Sequence, residues 1–171
     1  MTVLATLIRR GRVAALGGLL VLTLAALAVV AGRRPAEIAG RARVIDGDSL
    51  VVARTEIRLY GVDAPEYRQI CERAGQPWAC GVAARSALEA IIAGRAVTCR
   101  PREEDRYGRS VAICFAGGVD VGAAMVRAGN AVAYGAYEAD ERDARDARRG
   151  LWSSTFERPA AWRASHPRHG R

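Results

Sequence analysis

From Arg41 onward the apolar residues come in short bursts, each cut off by glycine, proline or an Asp–Gly pair, and this punctuation restricts the fold most. Arg41 to Val52 is rich in Val, Ile and Leu and is broken by Asp46-Gly47-Asp48, which reads as strand, tight turn, strand. Glu56 to Val62 is a further strand, stopped by Asp63-Ala64-Pro65. Val97 to Arg100 and Ser110 to Phe115 are strands on either side of a polar connection, and Ala131 to Tyr134 is a short one.

Helical spacing is confined to three places. Between Val82 and Ala93, Leu88, Ile91 and Ile92 share a face with Ala84, and Gly94 ends the segment. Val121 to Ala128 is a short helix ended by Gly129, and Glu138 to Arg149 is a charged one ended by Gly150. Gln69 to Gly81 reads as a loop, and residues 154–171, rich in Arg, Pro and His, read as a tail. Hairpin-like succession with few crossover helices predicts a mainly β chain with α: a five-stranded, partly open barrel of OB type with about three flanking helices.

The N-terminus is different in kind. Residues 1–12 are basic, 13–31 carry no charge and one hydroxyl, Thr23, and 32–40 read as a linker. At about 1.5 Å per residue the apolar run forms a hydrophobic helix just long enough to cross a bilayer. An uncleaved membrane anchor is favoured over the h-region of a cleaved signal. Three arginines before the run and two after favour export of the chain beyond it to the extracytoplasmic side (the periplasm), or secretion if the segment is cleaved.

Of the 171 residues, 26 are basic, every one of them Arg, and 18 are acidic, a net charge of +8. Residues 1–35 hold five of these arginines and no acid, so the remainder stands near +3 and is only mildly basic. Four cysteines suit an exported chain. Cys71 and Cys80 bracket a short loop, while Cys99 and Cys114 sit in two strands, where opposed Cα atoms about 4.5–5.5 Å apart can be bridged. The pairing read here is Cys71–Cys80 and Cys99–Cys114, one of three connectivities; a four-Cys zinc site would show tighter spacings, and four reduced thiols are the remaining alternative.

The histidines, His166 and His169, lie near the C-terminus, so Ser–His, Cys–His or His-based zinc chemistry is disfavoured. No glycine-rich phosphate loop occurs either. The remaining possibility is carboxylate and guanidinium chemistry in three places: Asp46-Gly47-Asp48, Arg58 through Glu66, and Asp105-Arg106-Tyr107-Gly108-Arg109. Carboxylate and carbonyl oxygens suit Ca²⁺ or Mg²⁺, arginine forks match phosphate oxygens, and a neighbouring carboxylate can take a proton from water. Taken singly, each could be an ordinary turn, ion pair or hairpin loop.

Together, over Arg43 to Trp152, these segments resemble the staphylococcal-nuclease-like (thermonuclease) family. Val44-Ile45-Asp46-Gly47-Asp48-Ser49-Leu50 is similar to its first signature, Arg58-Leu59 through Val62-Asp63-Ala64-Pro65-Glu66 to its second, Asp105 to Arg109 to its third, and Gly150-Leu151-Trp152 to its last. The resemblance implies an OB-fold nuclease domain over residues 41–153 that hydrolyses DNA and RNA with Ca²⁺, Mg²⁺ or another divalent ion being less favoured. It implies Asp48, Asp63 and the backbone carbonyl of Ala64 as metal ligands, with Asp46 behind them. Glu66 would be the general base, Arg58 and Arg109 the phosphate-binding arginines, and Arg106, Tyr107, Tyr134 and Tyr137 the substrate-binding residues. Ala64 stands where the family often has Thr, Arg106 where it has Lys, and Tyr137 is one residue further along than is common. The partners implied are DNA or RNA as substrate and a membrane through 13–31; no protein partner is inferable and a monomer is expected. The alternative is a non-catalytic OB-fold module of the cell envelope that binds nucleic acid or protein.

Overall fold

The computed structural model describes residues 36–167, so the basic segment 1–12 and the apolar run 13–31 lie outside the described residues. Among the described residues no helix is long and apolar enough to cross a membrane. The strands are β1 (Ile38–Gly40), β2 (Ala42–Val44), β3 (Ser49–Val52), β4 (Thr55–Leu59), β5 (Val62–Asp63), β6 (Cys71–Arg73), β7 (Gln76–Trp78), β8 (Val97–Glu104), β9 (Ser110–Ala116), β10 (Val119–Asp120) and β11 (Val132–Ala133). The helices are α1 (Cys80–Ile92), α2 (Val121–Arg127), α3 (Glu138–Asp146) and α4 (Pro159–Ser165), with a 3₁₀ turn at Gly150–Ser153.

A mixed sheet curls into a half-barrel in the order β1-β8-β9-β4-β3-β2, with β10 on β9. Its centre is the set of strands anticipated from sequence, and β1, in the stretch read as linker, extends one edge by pairing with β8. Neighbours are antiparallel except β4 and β9, which run parallel with Arg58 opposite Val111. Alternation decides the faces: along β4, Ile57 and Leu59 are buried while Glu56 and Arg58 point away. Leu50, Val52, Ile57, Leu59, Val97 and Cys99 meet Leu88 of α1 and Met125 of α2 in the core.

Both disulfides are formed as expected. Cys99 and Cys114 are direct register partners on β8 and β9, with Cα atoms 4.0 Å apart. Cys71 joins Cys80 across 5.7 Å, and the intervening loop is a β6–β7 hairpin rather than irregular chain. This bridge anchors the start of α1, whose N-cap residue Ala79 makes no side-chain cap.

The segment read as a tail departs from expectation. Thr155 pairs with Glu72 through both backbone groups at 2.8 and 2.9 Å, Phe156 packs edge-on against Trp152, and α4 comes next. Its order comes from these contacts and not from a helical apolar pattern, so the sequence carried little sign of it.

Tyr137 also differs from expectation. Its phenol donates to the Asp120 carboxylate at 3.1–3.2 Å, and Asp120 in turn caps α2 by accepting from the Ala123 N–H. Burial and the Asp120 charge push the phenol pKa well above its usual value, so it stays a donor. A single charge-assisted bond thus ties the start of α3 to the start of α2. Tyr137→Phe is expected to lower unfolding free energy by about 1–2 kcal/mol in urea denaturation; an unchanged midpoint would show that the bond contributes nothing.

Candidate active site

The turn between β2 and β3 sets the first carboxylate. Asp46 Oδ1 accepts from the Asp48 N–H at 3.1 Å, closing the turn on its own side chain. Gly47 is needed for close approach, because a Cβ there would stand 2.7 Å from the Ala64 methyl and 2.8 Å from that of Ala84. The turn therefore lies flat against the end of β5 and the side of α1. That brings Asp48 to Ala64, whose N–H donates to Asp48 Oδ2 at 3.1 Å, while the Ser49 hydroxyl donates to Oδ1 at 2.9 Å. The absence of a Thr hydroxyl at position 64 thus leaves Asp48 held through the backbone.

Asp63 enters from β5, which is pinned by β11. Arg58, on the outward face of β4, reaches both carboxylates, with Nη2 3.1 Å from Asp63 Oδ1 and 3.4 Å from Asp48 Oδ2. Both acids are almost fully buried. Burial, with Asp46 and Asp63 nearby, pushes the Asp48 carboxyl up to about 7 against the opposing pull of Arg58. Two buried acids that repel each other call for positive charge between them.

Beyond Pro65 the chain is held by Gln69, a fully buried side chain. Its Oε1 accepts from the Glu66 N–H at 3.2 Å, and its Nε2 donates to the Glu157 carbonyl at 2.7 Å. Gly81, at the start of α1, allows the Glu66 carbonyl to pack where any Cβ would collide with it. The Glu66 carboxylate is thereby brought beside Asp63. A second arginine, Arg163 of α4, joins them: its Nη1 lies 2.8 Å from Asp63 Oδ1 and 3.1 Å from Glu66 Oε1. Burial opposes its charge, but the bonds to Asp63 and Glu66 outweigh this and raise the guanidinium pKa.

Asp46, Asp48, Arg58, Asp63, Ala64 and Glu66 therefore lie in one cluster. Arg163 and Gln69 were missed; the one sequence signal was Pro159 at the first turn of a possible helix, before Trp162 and Arg163. Arg109 is directed elsewhere. Its Nε donates to Asp105 Oδ2 at 2.8 Å, its Nη2 lies 2.8 Å from the same oxygen, and its Nη1 lies 3.9 Å from Glu56. By register it stands on the Arg58 side of the sheet, one alternate position before Arg58's partner Val111. Arg106 donates to the Tyr107 hydroxyl at 2.6 Å, and Tyr107 and Tyr134 are 68% and 70% exposed. Tyr137 is taken up by Asp120.

A divalent cation fits the donor set. Asp48 and Asp63 offer hard oxygens, Ala64 adds a carbonyl in the same segment, and guanidinium groups already stand where positive charge is needed. The set is sparse: among the described residues no group of three or more His, Cys, Asp or Glu side chains could hold a metal. Water or substrate oxygens would complete such a shell, as is usual for hard ions with few protein ligands.

Residues 56–154 match the family model described as staphylococcal nuclease homologue, a span that contains Arg58, Asp63, Glu66 and Arg109. A protein of Escherichia coli O157:H7 named "Uncharacterized endonuclease" is 36% identical over 130 residues, covering 69% of this chain and 79% of the relative. A rice protein (Oryza sativa subsp. japonica) named "Probable staphylococcal-like nuclease CAN1" is 32% identical, covering 68% of this chain and 35% of its own length. The succinoglycan biosynthesis protein ExoI of Rhizobium meliloti (strain 1021) is 44% identical over 98 residues, 56% of this chain, and the match spans about half, 51%, of that relative. With the curled sheet, the carboxylate pair and these matches in place, the chain belongs to the family of staphylococcal nuclease homologues.

Proposed function

We propose that this chain is a divalent-metal-dependent nuclease that hydrolyses phosphodiester bonds in DNA and RNA, with Ca²⁺ as its ion. The observation that carries the reading is the convergence of Asp48, Asp63, Arg58 and Glu66 on one surface, in a member of a family whose nucleases are generally divalent-metal dependent. Nuclease relatives support the general activity. The charge-free run 13–31 and the two disulfides support an exported domain tethered to the membrane on its extracytoplasmic side.

The chain's own groups divide the work. Asp48 and Asp63, with the Ala64 carbonyl, would hold the ion, which when bound supplies positive charge against a phosphate oxygen. Arg58 is fixed by two carboxylates and stays cationic, so its free N–H groups can donate to equatorial phosphate oxygens as charge builds there. Glu66, positioned through its backbone by Gln69, takes the proton of the attacking water. Arg109 serves as the second phosphate donor by exchanging its Asp105 contact for the substrate; Arg106, Tyr107 and Tyr134 line the approach, where guanidinium and exposed rings suit a polyanion with stackable bases.

With single-stranded DNA and the full chain, Ca²⁺-dependent cleavage that stops on EDTA addition is expected. Glu66→Gln should lower kcat by about 10²–10⁴-fold while leaving DNA binding intact, and Arg58→Ala should cost on the order of 10²–10³-fold. Absence of cleavage with any divalent ion would instead leave a binding module, and full activity in Glu66→Gln would remove Glu66 from the role of base. Gln69→Ala frees the Glu66 segment and leaves its buried partners unsatisfied, so a loss of about 1–3 kcal/mol in stability is expected together with a fall in kcat; a change in KM alone would contradict its positioning role.

A further inference from the structure

The helix α4 lies beyond the span matched by the family model, yet its Arg163 makes the shortest ion pair to either buried carboxylate of the site among the described residues. One nitrogen, Nη1, bridges Asp63 Oδ1 and Glu66 Oε1 at 2.8 and 3.1 Å. The same Asp63 oxygen also accepts from Arg58 Nη2 at 3.1 Å. A carboxylate oxygen offers about two lone-pair directions, so with both arginines in place Oδ1 has none left for an ion. The Glu66 oxygen that accepts from Arg163 is likewise turned toward a cation rather than toward a water proton.

The two arginines differ in how they are held. Arg58 sits within β4, in the middle of the sheet, with a side chain 21% exposed. Arg163 projects from a helix of seven residues, and its side chain is 36% exposed. The base of that helix is secured separately, by the Gln69 bond to the Glu157 carbonyl and by the Glu72–Thr155 pairing. Arg163 and the short helix that carries it can therefore loosen without undoing the fold, while the residues before the helix stay attached.

We propose that Arg163 is an intramolecular competitor for the divalent-cation site, so that α4 caps Asp63 and Glu66 in the metal-free protein and cation binding releases it. The proposal rests on the reading of Asp48 and Asp63 as that site. It makes the metal-free enzyme self-shielded: the charge demanded by the buried acids is met internally until a divalent ion displaces the guanidinium. The cap and the ion exclude each other at Asp63 Oδ1, so removing the cap must strengthen ion binding.

The test is calorimetric titration of Ca²⁺ alone into the full chain and into Arg163→Gln and Arg163→Lys. Arg163→Gln should bind Ca²⁺ about fivefold more tightly or better, since one partly exposed ion pair no longer has to be broken; Arg163→Lys should lie between it and the wild type. Hydrogen exchange of residues 159–165 gives a readout within the wild-type protein: Ca²⁺ should speed exchange there. Equal or weaker Ca²⁺ affinity in Arg163→Gln, or slower exchange of α4 on adding Ca²⁺, would overturn the cap, the weaker affinity marking Arg163 as a positioning residue instead. Failure of all three proteins to bind Ca²⁺ while Asp48→Asn behaves identically would sink the cation site itself and the cap with it. Binding by all three with the same affinity would sink only the cap.

Discussion

The burial of two like-charged side chains, Asp48 and Asp63, a few ångströms from one guanidinium is the constraint on which the rest of this molecule depends. Burying one carboxylate is unfavourable, and burying two together is more so unless positive charge stands between them. Every nearby feature answers that demand. Arg58 is aimed by the alternation of β4, the Ala64 N–H and Ser49 hydroxyl satisfy Asp48, and Asp46 holds the turn that delivers it. Burial still pushes the Asp48 carboxyl upward, and a second guanidinium, that of Arg163, comes to Asp63 from the C-terminal helix.

The base is placed by a different device. Glu66 lies on a loop, and loops need an anchor to hold a reacting group to within a fraction of an ångström. Here the anchor is Gln69, a neutral side chain buried without exposure that ties the Glu66 backbone to the Glu157 carbonyl. The Cys71–Cys80 bridge, the β6–β7 hairpin and the close approach permitted by Gly81 hold the same loop against α1. The C-terminal segment is thus part of the site's support and not an appendage.

How much could be read from the sequence depends on how local the cause is. The strand–turn–strand at residues 41–52 was legible because alternation and the Asp–Gly–Asp turn act over neighbouring residues, and the Cys99–Cys114 bridge because opposed strands bring those positions together. The cluster of Asp48, Arg58, Asp63 and Glu66 was legible through ordered motifs. Gln69 and Arg163 were not, since Glu157 is 88 residues from Gln69 and Asp63 is 100 from Arg163, and neither a glutamine in a Gly/Pro loop nor one arginine among many carries a mark of its role. The direction of Arg109 was hidden for another reason: the motif fixes its place on β9's edge, but not whether its fork turns to Asp105 or to substrate. Tyr137 was placed by its distance from Tyr134, while the capping demand at Asp120 decided where it went.

The central claim is that Asp48 and Asp63 together hold a divalent cation. A crystal structure of the protein grown in saturating Ca²⁺ tests it most directly. The expected result is an ion within about 2.3–2.6 Å of carboxylate oxygens from both residues. A site with no ion between them, and Arg58 still spanning the two acids at saturating Ca²⁺, would contradict it.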